Sequence, residues 1–185
     1  MEANRAPLLQ RESDDIIAYV TAQTPQLHVR GNVRVSTFLG QVMALAEQLP
    51  DAEYAINLCD NRYAFMLAFC ALIARGQTNL LPPNKTPATQ AALLGQYPNS
   101  YVIHDGCELA EFARSVNIND LSFSAKDSCE TPEIDLASVA AITFTSGSTG
   151  SSKPNIKTWN TFVQSTEINA DYMLANPGQL TWQLA

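Results

Sequence analysis

From residue 36 onward, short apolar runs alternate with longer stretches of helical period, and the alternation predicts strands and helices in turn. "YAINLC" (54–59) reads as a strand, after which Asp60 or Asn61 stands ready to cap "RYAFMLAFCALIARG". That helix is apolar nearly all round, as one packed deep against a sheet is, and Gly76 stops it. "TNLLP" (78–82) is a second strand, cut off by Pro82 and Pro83, and "TPATQAALLGQY" a second helix with Thr86 as cap and Pro87 in its first turn. "SYVIHD" (100–105) predicts a third strand and "CELAEFARSV" a short helix. The polar stretch "NINDLSFSAKDSCETPEID" reads as loop with one edge strand, and "VAAITFT" (139–145) is an unbroken apolar run of the kind buried on both faces of a sheet. Further on, "NIK" reads as extended. Thr158 then caps an amphipathic helix to about residue 175, with Trp159, Phe162, Val163, Thr166, Ala170 and Met173 on its inner side.

Upstream the pattern is weaker. Residues 1–26 read as irregular, then weakly helical around "DDIIAYVTAQ", and "LHVRGNVRVS" as a hairpin turning at Gly31 and Asn32. Ser36 or Thr37 is the expected cap of "TFLGQVMALAEQLP", whose Phe38, Val42, Leu45, Ala46 and Leu49 keep helical spacing up to Pro50. Two parts follow: an N-terminal segment, 1–35, and a partial α/β domain, 36–185. Strand–helix–strand alternation implies right-handed crossovers and a mostly parallel sheet flanked by helices. In such sheets ligands bind at the carboxyl ends of the strands.

At the carboxyl end of the most apolar strand stands "TFTSGSTGSSKP" (143–154). A Gly/Ser-rich segment is ordinarily a flexible spacer. This one follows a buried strand, precedes another element within a few residues and carries a lysine, none of which a spacer needs. Gly147 and Gly150 can take positive φ and let backbone N–H groups converge on an anion. Thr145, Ser146, Ser148 and Thr149 add hydroxyl donors, and Lys153 a mobile positive charge. A Walker A loop requires glycine directly before the lysine and a hydroxyl after it, whereas Ser152 and Pro154 flank Lys153. The dinucleotide pattern GxGxxG lacks its third glycine.

Composition narrows the class. Of 185 residues, 46% are hydrophobic and 16% charged, as in an ordinary globular chain, and 11 Lys+Arg against 18 Asp+Glu leave a net charge of -7. That balance, with no basic cluster, argues against a nucleic-acid partner. Cys59, Cys70, Cys107 and Cys129 form no CxxC pair and stand far from His28 and His104, so no metal-ligand spacing appears. "YAFMLAFCALIA" is too short to span a bilayer, and the first fifteen residues lack a basic-then-apolar leader. A reduced, cytoplasmic protein is the expectation.

The loop resembles the phosphate loop of the adenylate-forming (AMP-binding) superfamily, acyl-CoA synthetase-like members included, whose usual form is a strand followed by T-S-G-[ST]-T-G-x-P-K-G. Thr145, Ser146, Gly147, Ser148, Thr149, Gly150 and Lys153 match in order and spacing, while Ser152 replaces the usual Pro and Pro154 the usual Gly. "NRYAFMLAFCALIARGQTNLLPPN" is similar to the superfamily's early helix, strand and proline turn, so the resemblance covers about residues 36–175. It implies an ATP- and Mg²⁺-dependent ligase that activates a small carboxylic acid, fatty or aryl, as acyl-AMP. The acyl group then passes to a thiol of CoA or of the phosphopantetheine on an acyl carrier protein. The loop residues named above would hold the nucleotide's phosphates. Members of the superfamily continue for several hundred residues beyond this loop, and "TWQLA" reads as a strand cut short. The expectation is therefore an N-terminal fragment, inactive by itself, with no catalytic residue or metal ligand identifiable in it.

The runner-up is a non-catalytic module that holds nucleotide phosphates, or docks a partner or a second copy through an unfinished sheet edge. His104–Asp105 at a strand end is read as hydrogen bonding rather than acid–base chemistry. Arg62 and Arg75 read as charges at the two ends of a helix, and Glu108, Glu111 and Arg114 as helix surface. Trp159 and Phe162 read as core, with contact to an acyl pocket as the alternative.

Overall fold

A computed structural model of the protein describes residues 4–24, 29–110, 113–123, 130–145 and 153–175. In chain order the elements are β1 (Arg5–Pro7), β2 (Ile16–Thr24), β3 (Val29–Arg34), α1 (Val35–Gln48), β4 (Tyr54–Asn57), α2 (Arg62–Ala74), β5 (Thr78–Leu81), α3 (Pro87–Gln96) and β6 (Ser100–His104). They continue with β7 (Ser115–Asn117), β8 (Glu133–Asp135), β9 (Val139–Thr145), β10 (Lys153–Thr158) and α4 (Trp159–Ala175). A six-stranded sheet in the order β10-β9-β5-β4-β6-β7 organises the molecule, with β1–β8 and β2–β3 as separate antiparallel pairs. Within the large sheet β9, β5, β4, β6 and β7 run parallel, and β10 alone is antiparallel. This is the mostly parallel α/β sheet that the alternation implies.

Local chemistry explains the best-formed elements. The Asn61 side chain accepts from the N–H groups of Tyr63 at 2.9 Å and Ala64 at 3.1 Å, which opens α2 with two satisfied donors. At its other end Gly76 takes φ 72°, and the Gln77 N–H reaches back to the Leu72 carbonyl at 2.8 Å. Positive φ here favours glycine, and the bond closes the last turn on a carbonyl that Arg75 also reaches. Thr86 accepts from the Thr89 N–H and caps α3, with Pro87 in its first turn.

Two apolar layers hold the sheet. One side packs α1, α2 and the start of α4 around Phe38, Leu45, Leu67, Leu72, Tyr101 and Trp159. The other packs α3 against Ile56, Leu58, Leu80, Val102, Ile142 and Phe144. Two phenols in the first layer are paired. Tyr63 donates its hydroxyl to Gln41, Tyr101 donates to Gln77 at 3.0 Å, and burial pushes both phenols upward in pKa.

The structure corrects five expectations. "DDIIAYVTAQ" is not helical: Ile16–Thr24 is strand β2, paired with β3. The expected turn residues Gly31 and Asn32 sit inside β3 opposite Val20 and Tyr19, so the hairpin is displaced. Helix α1 begins at Val35 with no side-chain cap, because the Val35 and Ser36 N–H groups are taken by the carbonyls of Asp15 and Ser13. The described part of "CELAEFARSV" is not helical either. Gln90 in α3 holds it open, donating to the Glu108 carbonyl and accepting from the Ala110 N–H, and Ser115–Asn117 continues as edge strand β7. On α4, Trp159 is buried and Phe162 and Val163 half-buried as expected, whereas Thr166 is exposed and donates to the Phe162 carbonyl.

Candidate functional site

The strand that carries the loop is fixed by β5. Asn79 is fully buried, and its amide donates to the Phe69 carbonyl in α2 at 3.3 Å and the Ala140 carbonyl in β9 at 3.1 Å. Thr78 adds a bond to the Val139 carbonyl at 2.9 Å. So anchored, β9 runs in register with β10: Thr145 faces Lys153, Phe144 faces Pro154 and Ala141 faces Lys157. A register shift beside Lys157 then resets the ladder.

Because β9 is parallel to β4, β5 and β6, Thr145 and Lys153 stand on the edge where all four strands end. That is the ligand-binding edge of such sheets. Thr145 closes β9, and Lys153 opens β10 with its side chain exposed. Ser146, Gly147, Ser148, Thr149 and Gly150 lie outside the described residues. Two ends thus come together at the right edge, with seven residues, 146–152, to join them. No group of three or more His, Cys, Asp or Glu that could hold a metal ion gathers among the described residues.

Farther along the same edge lies a cluster that sequence reasoning missed. The Lys85 ammonium donates to the Leu58 carbonyl at 3.0 Å and the Cys59 carbonyl at 3.2 Å, and pairs with Asp60. Asp105 accepts from the Asp60 N–H at 2.8 Å and the Asn61 N–H at 2.7 Å, at the N-terminus of α2. Between β4 and β6 the chain's connections diverge, and a helix N-terminus there would attract an anion. The Asp105 carboxylate already supplies it. The one signal for Lys85 was its position between the proline turn and the Thr86 cap.

His104 is buried, and its Nδ1 accepts from the Gly106 N–H at 3.1 Å. Burial lowers its pKa, against a smaller upward pull from Asp105 and Asp120. This is the hydrogen-bonding role expected of it. Burial likewise drives the Cys59 thiol up and Cys70 to about 12, leaving both protonated at neutral pH and poor nucleophiles.

Between α2 and α4 lies a cavity of about 450 Å³, lined chiefly by Phe65, Phe69, Leu81, Thr143, Lys157 and Phe162. The rings of Phe65 and Phe69 stack at 6.2 Å, and Phe162 meets Phe69 edge-on at 5.5 Å.

No protein-family model matches the chain, and neither does any curated protein. Solved structures do match. O-succinylbenzoate CoA synthetase (MenE) from Bacillus subtilis, in complex with AMP, superposes with a TM-score of 0.70 at 16% identity over 90% of this chain. The same enzyme with its acyl-adenylate intermediate gives 0.72 at 16% identity over 91%, and the N-terminal subdomain of NpsA from Klebsiella oxytoca 0.62 at 17% over 82%. The fold is that of the N-terminal part of an adenylate-forming enzyme. This chain spans under half of those structures, 46%, 47% and 40% of their lengths. MenE has also been solved with ATP and a magnesium ion. At such identities the likeness is one of fold. Among the described residues no helix is long and apolar enough to cross a membrane.

Proposed function

We propose that the chain is the N-terminal portion of an adenylate-forming ligase, and that its loop holds the β- and γ-phosphates of ATP. The observation that carries this reading is the pairing of Thr145 with Lys153 at the carboxyl edge of a sheet of adenylate-forming fold. Lys153 supplies the positive charge, Gly147 and Gly150 let backbone N–H groups turn inward, and Thr145, Ser146, Ser148 and Thr149 supply hydroxyls. Such a loop contributes by positioning and by neutralising charge, which is most of what nucleotidyl transfer asks of a protein. Mg²⁺ would reach the site with the nucleotide's phosphates. In the complete ligase a carboxylic acid would be activated as acyl-AMP and passed to a thiol, that of CoA or of a carrier protein's phosphopantetheine. Free cysteines at Cys59, Cys70 and Cys107 fit a reducing, cytoplasmic setting.

Calorimetric titration of the chain with MgATP tests this. Saturable binding that weakens at least about tenfold in both Lys153→Ala and Ser146→Ala supports the reading, each variant removing a charge-assisted bond. Equal affinity in all three proteins contradicts it.

A further inference from the structure

Pro154 is one of the two places where the loop departs from the form it resembles, standing where glycine usually follows the lysine. Its setting in the sheet gives the proline a role. β10 is an edge strand, paired with β9 alone in the large sheet. Along that ladder Lys153 faces Thr145, Pro154 faces Phe144 and Asn155 faces Thr143, with no shift between them. Proline has no N–H to donate, so an unbroken ladder seats it where the strand's backbone groups face the open edge. Phe144, opposite, is buried and meets Tyr97 edge-on at 6.0 Å. The cross-strand neighbour of Pro154 is thus itself fixed in the apolar layer.

The consequence falls on the residue before the proline. A proline ring crowds the preceding residue out of the α region and into extended conformations. That residue is Lys153, the first of β10. The end residue of a strand ordinarily frays. Lys153 is exposed, and among the described residues no ion pair or side-chain hydrogen bond holds it in place. Strand alternation sends the Lys153 and Pro154 side chains to opposite faces, so the restraint on the backbone leaves the ammonium unobstructed.

We propose that Pro154 is a positioning residue for Lys153. It holds the lysine's backbone extended at the end of the β9–β10 ladder before any nucleotide arrives, so less freedom is lost on binding. The proposal rests on the loop reading and adds to it a residue with no polar side chain to offer a phosphate. Proline on an edge strand has another use, blocking pairing with a second chain, and experiment separates the two.

The test compares the full chain, labelled with ¹⁵N, with Pro154→Ala. In the nucleotide-free parent the Lys153 amide is as rigid as that of Asn155, with an order parameter of about 0.85. In Pro154→Ala the Lys153 value falls toward about 0.6, while Asn155 and Lys157 keep theirs. Calorimetric titration with MgATP shows Pro154→Ala weaker by about two- to fivefold, the effect of returning backbone freedom to one residue. In a Lys153→Ala background the same substitution changes affinity no further, because the charge it positions is gone. An unchanged Lys153 order parameter, or loosening along the whole of β10, overturns the proposal whether or not MgATP binds. An affinity loss that persists in the Lys153→Ala background overturns it too. Self-association of Pro154→Ala in sedimentation velocity, with Lys153 dynamics and MgATP affinity unchanged, makes Pro154 an edge guard instead. The loop reading fails separately. If Lys153→Ala weakens MgATP while Pro154→Ala alters neither readout, the proposal falls and the loop stands. If Lys153→Ala binds MgATP as the parent does, the loop reading falls and the proposal with it.

Discussion

Thr145 and Lys153, the first and last matching residues of the loop motif, face each other across the β9–β10 ladder. The motif is thus a closed excursion from a rigid edge, not a tether between bodies. Because Lys153 is exposed and makes no described ion pair, Lys153→Ala should change stability by less than about 0.5 kcal/mol. Thermal melts of the two proteins should overlap, so any loss of nucleotide affinity in the variant reads as loss of the charge.

Asn61 carries the start of α2, accepting from two backbone donors. Asn61→Ala should cost about 1 kcal/mol, while Asn61→Asp, which keeps the acceptor, should cost much less. At this chain length 1 kcal/mol lowers Tm by about 2–4 °C, measurable by circular dichroism.

Asp105 holds the end of β6 to the start of α2 through two charge-assisted bonds. Asp105→Ala leaves both N–H groups without that acceptor and should cost about 2 kcal/mol. Asp105→Asn keeps one good acceptor oxygen and should recover part of the loss. Urea unfolding distinguishes them, and equal midpoints for parent and Asp105→Ala would show the bonds contribute nothing.

His104 should make stability depend on pH. Burial lowers its folded-state pKa below the ordinary 6.5, so the neutral ring is favoured in the folded chain, with Nδ1 accepting from Gly106. Above about pH 6.5 this contribution is fully present. As pH falls through 6.5 the unfolded chain takes up a proton that the folded chain refuses, and stability declines until the lower folded pKa is passed. Urea midpoints between pH 8 and 5 should fall in the parent and fall less in His104→Asn, which keeps an acceptor but does not titrate.

The stretch from β4 to β6 was legible in sequence because its signals are local. Asn61, Gly76, Thr86 and Pro87 punctuate it, and the apolar runs of β4, β5, β6 and β9 match strands buried on both faces. What the sequence hid depends on distant partners. Ile16–Thr24 is a strand only because β3 pairs with it, and α1 starts at Val35 because carbonyls from the turn at 13–15 cap it. The stretch after β6 has helical spacing, yet the Gln90 side chain claims its backbone groups first. The site divides the same way. The loop motif is contiguous in sequence, with Thr145 and Lys153 alone among the described residues, whereas the Lys85–Asp60–Asp105 cluster and the cavity between α2 and α4 exist only once the sheet assembles.

The most direct measurement of the central claim asks which phosphates the loop holds. The chain would be titrated with MgATP, AMP and inorganic pyrophosphate, with and without Lys153→Ala. A loop that holds β- and γ-phosphates binds ATP well above AMP, lets pyrophosphate displace ATP, and loses most of this preference without Lys153. AMP binding as tightly as ATP, with pyrophosphate inert and the substitution silent, would contradict the account.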